Sequence, residues 1–196
     1  MITGAMQPGQ EFSLRQIAGQ LGISFIPVRE ALRTLEADGL LHTRRGRSAV
    51  VAPLDEDGLL GITRLRKLIE PELCANACMR MRAGELDRLE AKISSINPPQ
   101  CSREEMLQAH IEFRAELLRP AATNWDLKIL DRLWQGAARY LYPGYNAVGD
   151  TWDVYTSPEQ QQRNLIAAFR ARDADEARAE TERQLDQDET IGKLGL

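Results

Sequence analysis

Histidine is nearly missing from this chain: His42 and His110 are the whole supply in 196 residues. A zinc site would need more ligands close to the cysteines than these two histidines supply. Cys74, Cys78 and Cys101 are odd in number and form no C-x-x-C pair. Cys74 and Cys78 lie four apart, share a helix face, and read as small buried hydrophobes. Long apolar runs are absent too, with nothing near the ~20 residues of a membrane span. Met1–Gln10 shows no basic segment followed by an apolar one, so no secretory signal is expected and the expected compartment is the cytoplasm. No nucleophile–base pair and no phosphate loop is visible, and the chain is expected not to be an enzyme.

What is present is an ordinary globular composition, 43% hydrophobic and 28% charged, in a length that fits one large or two small domains. The net charge of −4 is unevenly spread. Residues 1–54 hold six basic side chains (Arg15, Arg29, Arg33, Arg44, Arg45, Arg47) and four acidic ones (Glu11, Glu30, Glu36, Asp38), a balance of +2. The remainder holds 19 basic and 25 acidic side chains, a balance of −6. A positive small module on a negative larger one points the first part alone at a polyanion.

Ser13-Leu14-Arg15-Gln16 is a capping-box pattern, followed by Ile17, Ala18 and Leu21 at helical spacing. Gly22 stops that helix, and Ser24 caps another whose first turn tolerates Pro27. Val28, Ala31, Leu32 and Leu35 form its apolar stripe, and Gly39 closes it. Two short helices around a three-residue turn make a helix-turn-helix. Leu40–Val51 then reads as a β-hairpin with a basic tip, Arg44-Arg45-Gly46-Arg47, in the place of a wing. After Asp57 the pattern is helical, at roughly 57–82, 83–96, 102–119, 123–142, 157–171 and 173–191. Asn97-Pro98-Pro99, Pro120, Pro143-Gly144 and Ser157-Pro158 mark breaks, and Pro71 is expected to kink the first of these helices. The expected fold is mostly α: a winged helix-turn-helix over 1–54 and an all-α six-helix bundle over 55–196.

The second helix of such a motif presents its N-terminal residues to base edges in the major groove. Here those are Ser24, Phe25, Ile26, Pro27, Val28 and Arg29. Arg29 can fork onto a guanine or grip a phosphate, and Phe25 and Ile26 suit thymine methyls. Arg15 is placed for a phosphate, and Arg44, Arg45 and Arg47 for phosphates or the minor groove. Trp125, Trp134 and Trp152 read as core or interface residues.

The stretch Pro8-Gly9, Ile17-Ala18, Leu21-Gly22-Ile23-Ser24-Phe25-Ile26-Pro27-Val28-Arg29-Glu30-Ala31-Leu32, Leu35, Gly39-Leu40, Arg45-Gly46 resembles the N-terminal domain of the GntR family of bacterial regulators. The resemblance places Arg15, Ser24, Arg29, Arg45 and Gly46 at DNA-contacting positions. Phe25 stands where an arginine is usual, which shifts the expected operator. The family's first helix is mostly absent, because the chain starts just before Gly4; the expectation is a shortened module, with a native start upstream of Met1 left open. The later region resembles the helical effector domain of the FadR-type (FCD) branch, through Arg66 and Glu70, through Phe113, Leu117, Asn124 and Leu127, and through Leu165, Ala168, Asp173 and Ala177.

Many members of that branch hold a divalent metal with one Asp and three His. The matching positions here carry His110, Arg114, Gln162 and Gln184, so no metal cofactor is expected. The resemblance then implies a metal-independent pocket for a small organic acid or other anionic metabolite, with Arg114 as charge partner and Arg139 and Tyr140 as candidate neighbours. Arg66 with Glu70 reads instead as a structural pair. The expected partners are a double-stranded DNA operator, the anion and a second copy of the chain, with no membrane. The expected function is a dimeric transcription regulator, a repressor, whose operator affinity its effector controls; the alternative is a regulator whose helical domain senses nothing and acts only in dimerisation or protein interaction.

Overall fold

A computed structural model describes residue 6 and residues 8–37, 39–44, 48–94, 101–149, 152 and 154–196. The chain divides into two compact units, Met1–Asp55 and Glu56–Leu196.

The first unit begins with β1 (Glu11–Ser13), which runs into α1 (Leu14–Leu21). The Ser13 N–H donates to Gln16 Oε1 at 3.4 Å, the backward half of the capping box. Gly22, at φ +65°, ends the helix. Its N–H reaches Gly19 O and the Ile23 N–H reaches Ala18 O at 3.1 Å, a Schellman close. After α2 (Phe25–Ala37) the same device recurs, with Gly39 at φ +71° and the Leu40 N–H on Leu35 O at 2.9 Å. The chain then enters β2 (Leu41–Arg44) and β3 (Ser48–Val51). The sheet has three antiparallel strands in the order β1-β3-β2. The sequence reading gave a two-armed hairpin; Glu11-Phe12-Ser13 adds the third strand, with Phe12 opposite Ala49 and buried beneath it. Three residues are too few to show an alternation, so this strand left no periodic signal. Phe12, Leu14, Ala18, Val28, Leu32, Leu41, Ala49 and Val51 close one small core. Glu36 ties the wing to α2: its Oε1 accepts from the Thr43 N–H at 2.7 Å and from Thr43 Oγ1 at 2.8 Å. Those bonds, the backbone one foremost, hold the Glu36 carboxyl below its ordinary pKa.

The second unit is a bundle of six helices among the described residues: α3 (Glu56–Arg80), α4 (Ala83–Ile93), α5 (Arg103–Leu118), α6 (Asn124–Val148), α7 (Pro158–Ala171) and α8 (Ala174–Leu194). Each of α5, α6, α7 and α8 starts with a side-chain cap, from Ser102, Thr123, Ser157 and Asp173 respectively. The break expected at Pro143-Gly144 does not occur, and α6 runs on to Val148. Proline removes one ladder bond but leaves the helix intact where packing holds it. Here Gly144 supplies the packing: a Cβ there would lie 2.2 Å from Ile191 O of α8. Gly192 is similar, since its Cβ would meet Leu59 Cδ1 of α3 at 2.9 Å. Bare backbone at these two positions lets α8 press against α6 and α3. Pro71 is likewise buried inside α3, which continues through it. No helix among the described residues is long and apolar enough to cross a membrane.

Candidate functional site

In the first unit, the turn Gly22–Ser24 presents the start of α2 outward. Ser24, Pro27 and Arg29 are exposed, and Ile26 keeps 64% of its surface. Val28 points the other way and is buried, as helical spacing requires. Phe25 is half-buried and packs against the core of the unit, so it is less free for a base edge than Ile26. Arg29 Nε approaches Glu30 Oε1 at 3.5 Å, its one ion pair among the described residues. Arg15 is exposed near the start of α1, and Arg44 at the end of β2 lies 3.6 Å from Glu11 Oε2. Arg45, Gly46 and Arg47 lie outside the described residues. The described candidates other than Phe25 are thus exposed, and offer hydroxyl, apolar and guanidinium groups to solvent.

In the helical unit, His110 and Arg114 of α5, Gln162 of α7 and Gln184 of α8 meet at one cavity of about 40 Å³. That is room for roughly three waters or a few ligand atoms. Arg66 of α3, Tyr145 of α6, Gln161 of α7 and Asp188 of α8 line it as well. Arg139 does not. The stripe of α6 that lines the cavity is Trp134, Ala137, Ala138, Leu141 and Tyr145, at helical spacing, and Arg139 falls beside it. Tyr140 is buried but is not among the lining residues.

Below the cavity runs a buried charge network. Glu70 is fully buried and accepts from Arg66 Nε at 2.6 Å, Arg114 Nη1 at 2.8 Å and Trp134 Nε1 at 2.9 Å. Arg66 Nη1 also donates to Asp188 Oδ2 at 3.0 Å. Two guanidiniums therefore face two carboxylates. Burial alone would push the Glu70 carboxyl up; Arg66, Arg114 and the Trp134 N–H outweigh it and hold the pKa below the ordinary value. Arg66, read as a structural partner of Glu70, is that and a cavity wall together. Asp188 was missed, although it lies four residues after Gln184 and so on the same face of α8.

Two groups stand outside this network. Gln162 is 4% exposed, and neither its Oε1 nor its Nε2 has a hydrogen-bond partner among the described residues. His110 Nε2 is buried and equally unpartnered there. Burial, with the Arg114 charge adding to it, pulls the His110 pKa down to about 3. The imidazole is neutral at physiological pH. By contrast, Arg114 Nη2 donates to Gln184 Oε1 at 2.8 Å, and Gln184 Nε2 donates to Gln161 O and Glu180 Oε1, both at 2.9 Å.

The four residues at the family's metal positions do not fit a divalent cation. They offer one imidazole, two amides and a guanidinium, which repels a cation and cannot ligate it. Among the described residues no group of three or more His, Cys, Asp or Glu could hold a metal. The cysteines add nothing to such chemistry: burial raises the Cys74 pKa to about 12 and that of Cys78 above its usual value.

Comparison with known proteins agrees with this architecture. The profile of the family described as "Bacterial regulatory proteins, gntR family" matches residues 1–51, and that of the FCD domain matches residues 61–187. The chain is 31% identical over 103 residues to an uncharacterized HTH-type transcriptional regulator of Mycobacterium tuberculosis, a match covering 53% of this chain and 42% of that protein. It is 25% identical over 179 residues to the HTH-type transcriptional repressor GlaR of Escherichia coli, covering 88% of this chain and 81% of GlaR. The solved structure of E. coli McbR/YncC superposes with a TM-score of 0.82 at 22% identity, covering 98% of this chain and 91% of that one, which is a likeness of fold.

Proposed function

This chain belongs to the GntR family of bacterial regulatory proteins and carries an FCD domain, and from that premise we propose that it is an operator-binding repressor controlled by a small organic anion held in the helical cavity. Transcription regulation is the family's work, not an enzyme's. The finer reading rests on one observation: His110 Nε2 and the whole Gln162 amide are buried beside the Arg114 guanidinium without partners among the described residues. A buried polar group left unpaired costs about 1–3 kcal/mol, and a ligand that satisfies several recovers that cost as affinity. A carboxylate can accept from the Gln162 amide and face Arg114, while a hydroxyl or second carboxylate meets His110. The cavity volume of about 40 Å³ restricts the effector to a few heavy atoms unless side chains move.

For DNA, the supporting feature is the exposed start of α2, where Ser24, Ile26, Pro27 and Arg29 are available to base edges, with Phe25 as a partial contributor and Arg15 and Arg44 set for phosphates. Arg45 and Gly46 complete the assignment through the family resemblance, and Arg47 through its place in the basic wing tip. One reader of this type spans a half-site, so a homodimer on a near-palindromic operator is the fitting assembly. Leu65 and Leu68 on α3 and Trp125 and Ile129 on α6, all exposed and apolar, supply a face for it.

A specific observation also favours the second reading, a helical domain that senses nothing: Arg66 and Arg114 are already balanced by Glu70 and Asp188. Titrating small mono- and dicarboxylic acids into the wild type and Gln162→Leu by calorimetry separates the two. Binding to the wild type that Gln162→Leu abolishes supports the sensing cavity. No binding by any acid supports the silent domain.

A further inference from the structure

A second concavity lies at the far end of the helical unit, where the end of α3, the start of α4 and the end of α5 converge. It measures about 430 Å³, an order of magnitude more than the cavity holding His110. Arg80, Arg82, Arg88 and Arg119 line it, with Glu85 and Glu116 as the only carboxylates among the described residues. All four arginines are exposed. None of their guanidiniums has a hydrogen bond or ion pair to a described residue. Elsewhere in this unit Arg163, Arg170, Arg178 and Arg183 each bind carboxylates and Arg172 donates to Cys78 O.

The two carboxylates at the rim are already engaged. Glu85 Oε2 accepts from the Arg82 backbone N–H at 2.9 Å, and Glu116 Oε1 pairs with Lys92 at 2.7 Å. Asp87 and Glu90, also on α4, bind Arg170 of α7. The carboxylates of α4 are thus held by other partners, and four guanidiniums against two carboxylates leave the hollow net positive on a unit whose own balance is −5. Like charges gathered in a concavity repel one another and focus the local potential, and an anion relieves both. Met81, Leu89 and Pro120 complete the walls with apolar surface.

We propose that this hollow is a binding site for a phosphorylated small metabolite, separate from the effector cavity. Guanidinium forks match phosphate oxygens bidentately, and several converging arginines suit a group carrying more than one negative charge. The volume falls within the range of small-molecule sites, roughly 300–1,000 Å³. It accommodates a diphosphate together with the organic group attached to it. The apolar walls meet that organic part. Because the arginines are exposed, binding weakens as salt is added; charges in 0.15 M salt are screened beyond about 8 Å. The site stands whether or not the central cavity takes an acid.

The test uses the full chain with inorganic pyrophosphate as the probe, in calorimetry at low salt. The wild type is expected to bind, with affinity falling as sodium chloride rises. Arg80→Gln with Arg119→Gln, both at exposed positions, is expected to weaken binding at least about tenfold at unchanged melting temperature. Gln162→Leu is expected to bind pyrophosphate as the wild type does, which separates this site from the central one. No heat from the wild type, or equal affinity in the double variant, overturns the proposal. A second arm measures duplex DNA binding without pyrophosphate. Unchanged DNA affinity in the double variant supports a metabolite site, and a loss assigns the hollow to the DNA backbone and overturns it.

Discussion

Replacing Gln162 by leucine is expected to make the resting protein more stable and deaf to its effector. Gln162 is 4% exposed, and its amide oxygen and nitrogen lack partners among the described residues. An unsatisfied buried polar group costs about 1–3 kcal/mol. Leucine is similar in size, needs no partner, and would share the cavity wall with Leu165, Phe113 and Ala138. The variant should gain about 1–3 kcal/mol, which for a protein of this size corresponds to roughly 3–9 °C in the melting transition of the helical unit. Circular dichroism at 222 nm during thermal and urea unfolding measures it, and an unchanged urea slope would show that stability alone moved. An acid that raises the wild-type transition by mass action should leave the variant where it is. A variant less stable than the wild type would refute the reasoning, because the amide would then be satisfied in the resting protein.

Other consequences are as direct. Folding keeps His110 neutral down to about pH 3, so the unfolded chain takes up its proton first, near the ordinary histidine pKa of about 6.5. Stability from this group is complete above about pH 6.5 and falls as pH drops, by up to about 1.4 kcal/mol per unit, and by less because His110 keeps some solvent contact. Between pH 6.5 and 5, urea midpoints should decline in the wild type and stay flat in His110→Phe. Gly144→Ala should cost about 1–3 kcal/mol or more, since its Cβ would lie 2.2 Å from Ile191 O; a neutral effect would show that α8 can shift. Arg29→Ala should weaken operator binding by about 1–3 kcal/mol at one base position, read by anisotropy on a duplex selected from random sequence; uniform loss across sequences would make Arg29 a phosphate contact instead.

The reader module was legible because local chemistry wrote it. Ser13, Gly22 and Gly39 punctuate the helices, and Val28 and Leu32 keep helical spacing, so the boundaries are set within a few residues of chain. Strand β1 was not legible, since Glu11–Ser13 is a strand only because β3 is there to pair with it. Pro143-Gly144 carried the usual mark of a break, yet the close approach of Ile191, more than forty residues away, overrides the local preference. At the helical cavity, family positions brought His110, Arg114, Gln162 and Gln184 to one place. They gave no hint that Arg114 was already shared with Glu70, because that bond joins α5 to α3 across 44 residues of sequence. Arg139 was placed by nearness in sequence to the right helix, and one residue off the lining stripe is enough to miss the cavity. The arginine hollow was invisible for a similar reason: Arg80, Arg82, Arg88 and Arg119 are unremarkable surface residues until three helix ends bring them together.

The central claim is that the cavity around Gln162 governs the hold of the first unit on DNA. Operator affinity, measured by fluorescence anisotropy for the wild type and Gln162→Leu, each with and without a saturating concentration of the acid that stabilises the wild type, tests it most directly. The account predicts that the acid weakens wild-type binding by about 5–150-fold, a coupling of about 1–3 kcal/mol, and leaves Gln162→Leu unchanged. A wild-type affinity indifferent to the acid, or a variant that responds equally, would contradict it.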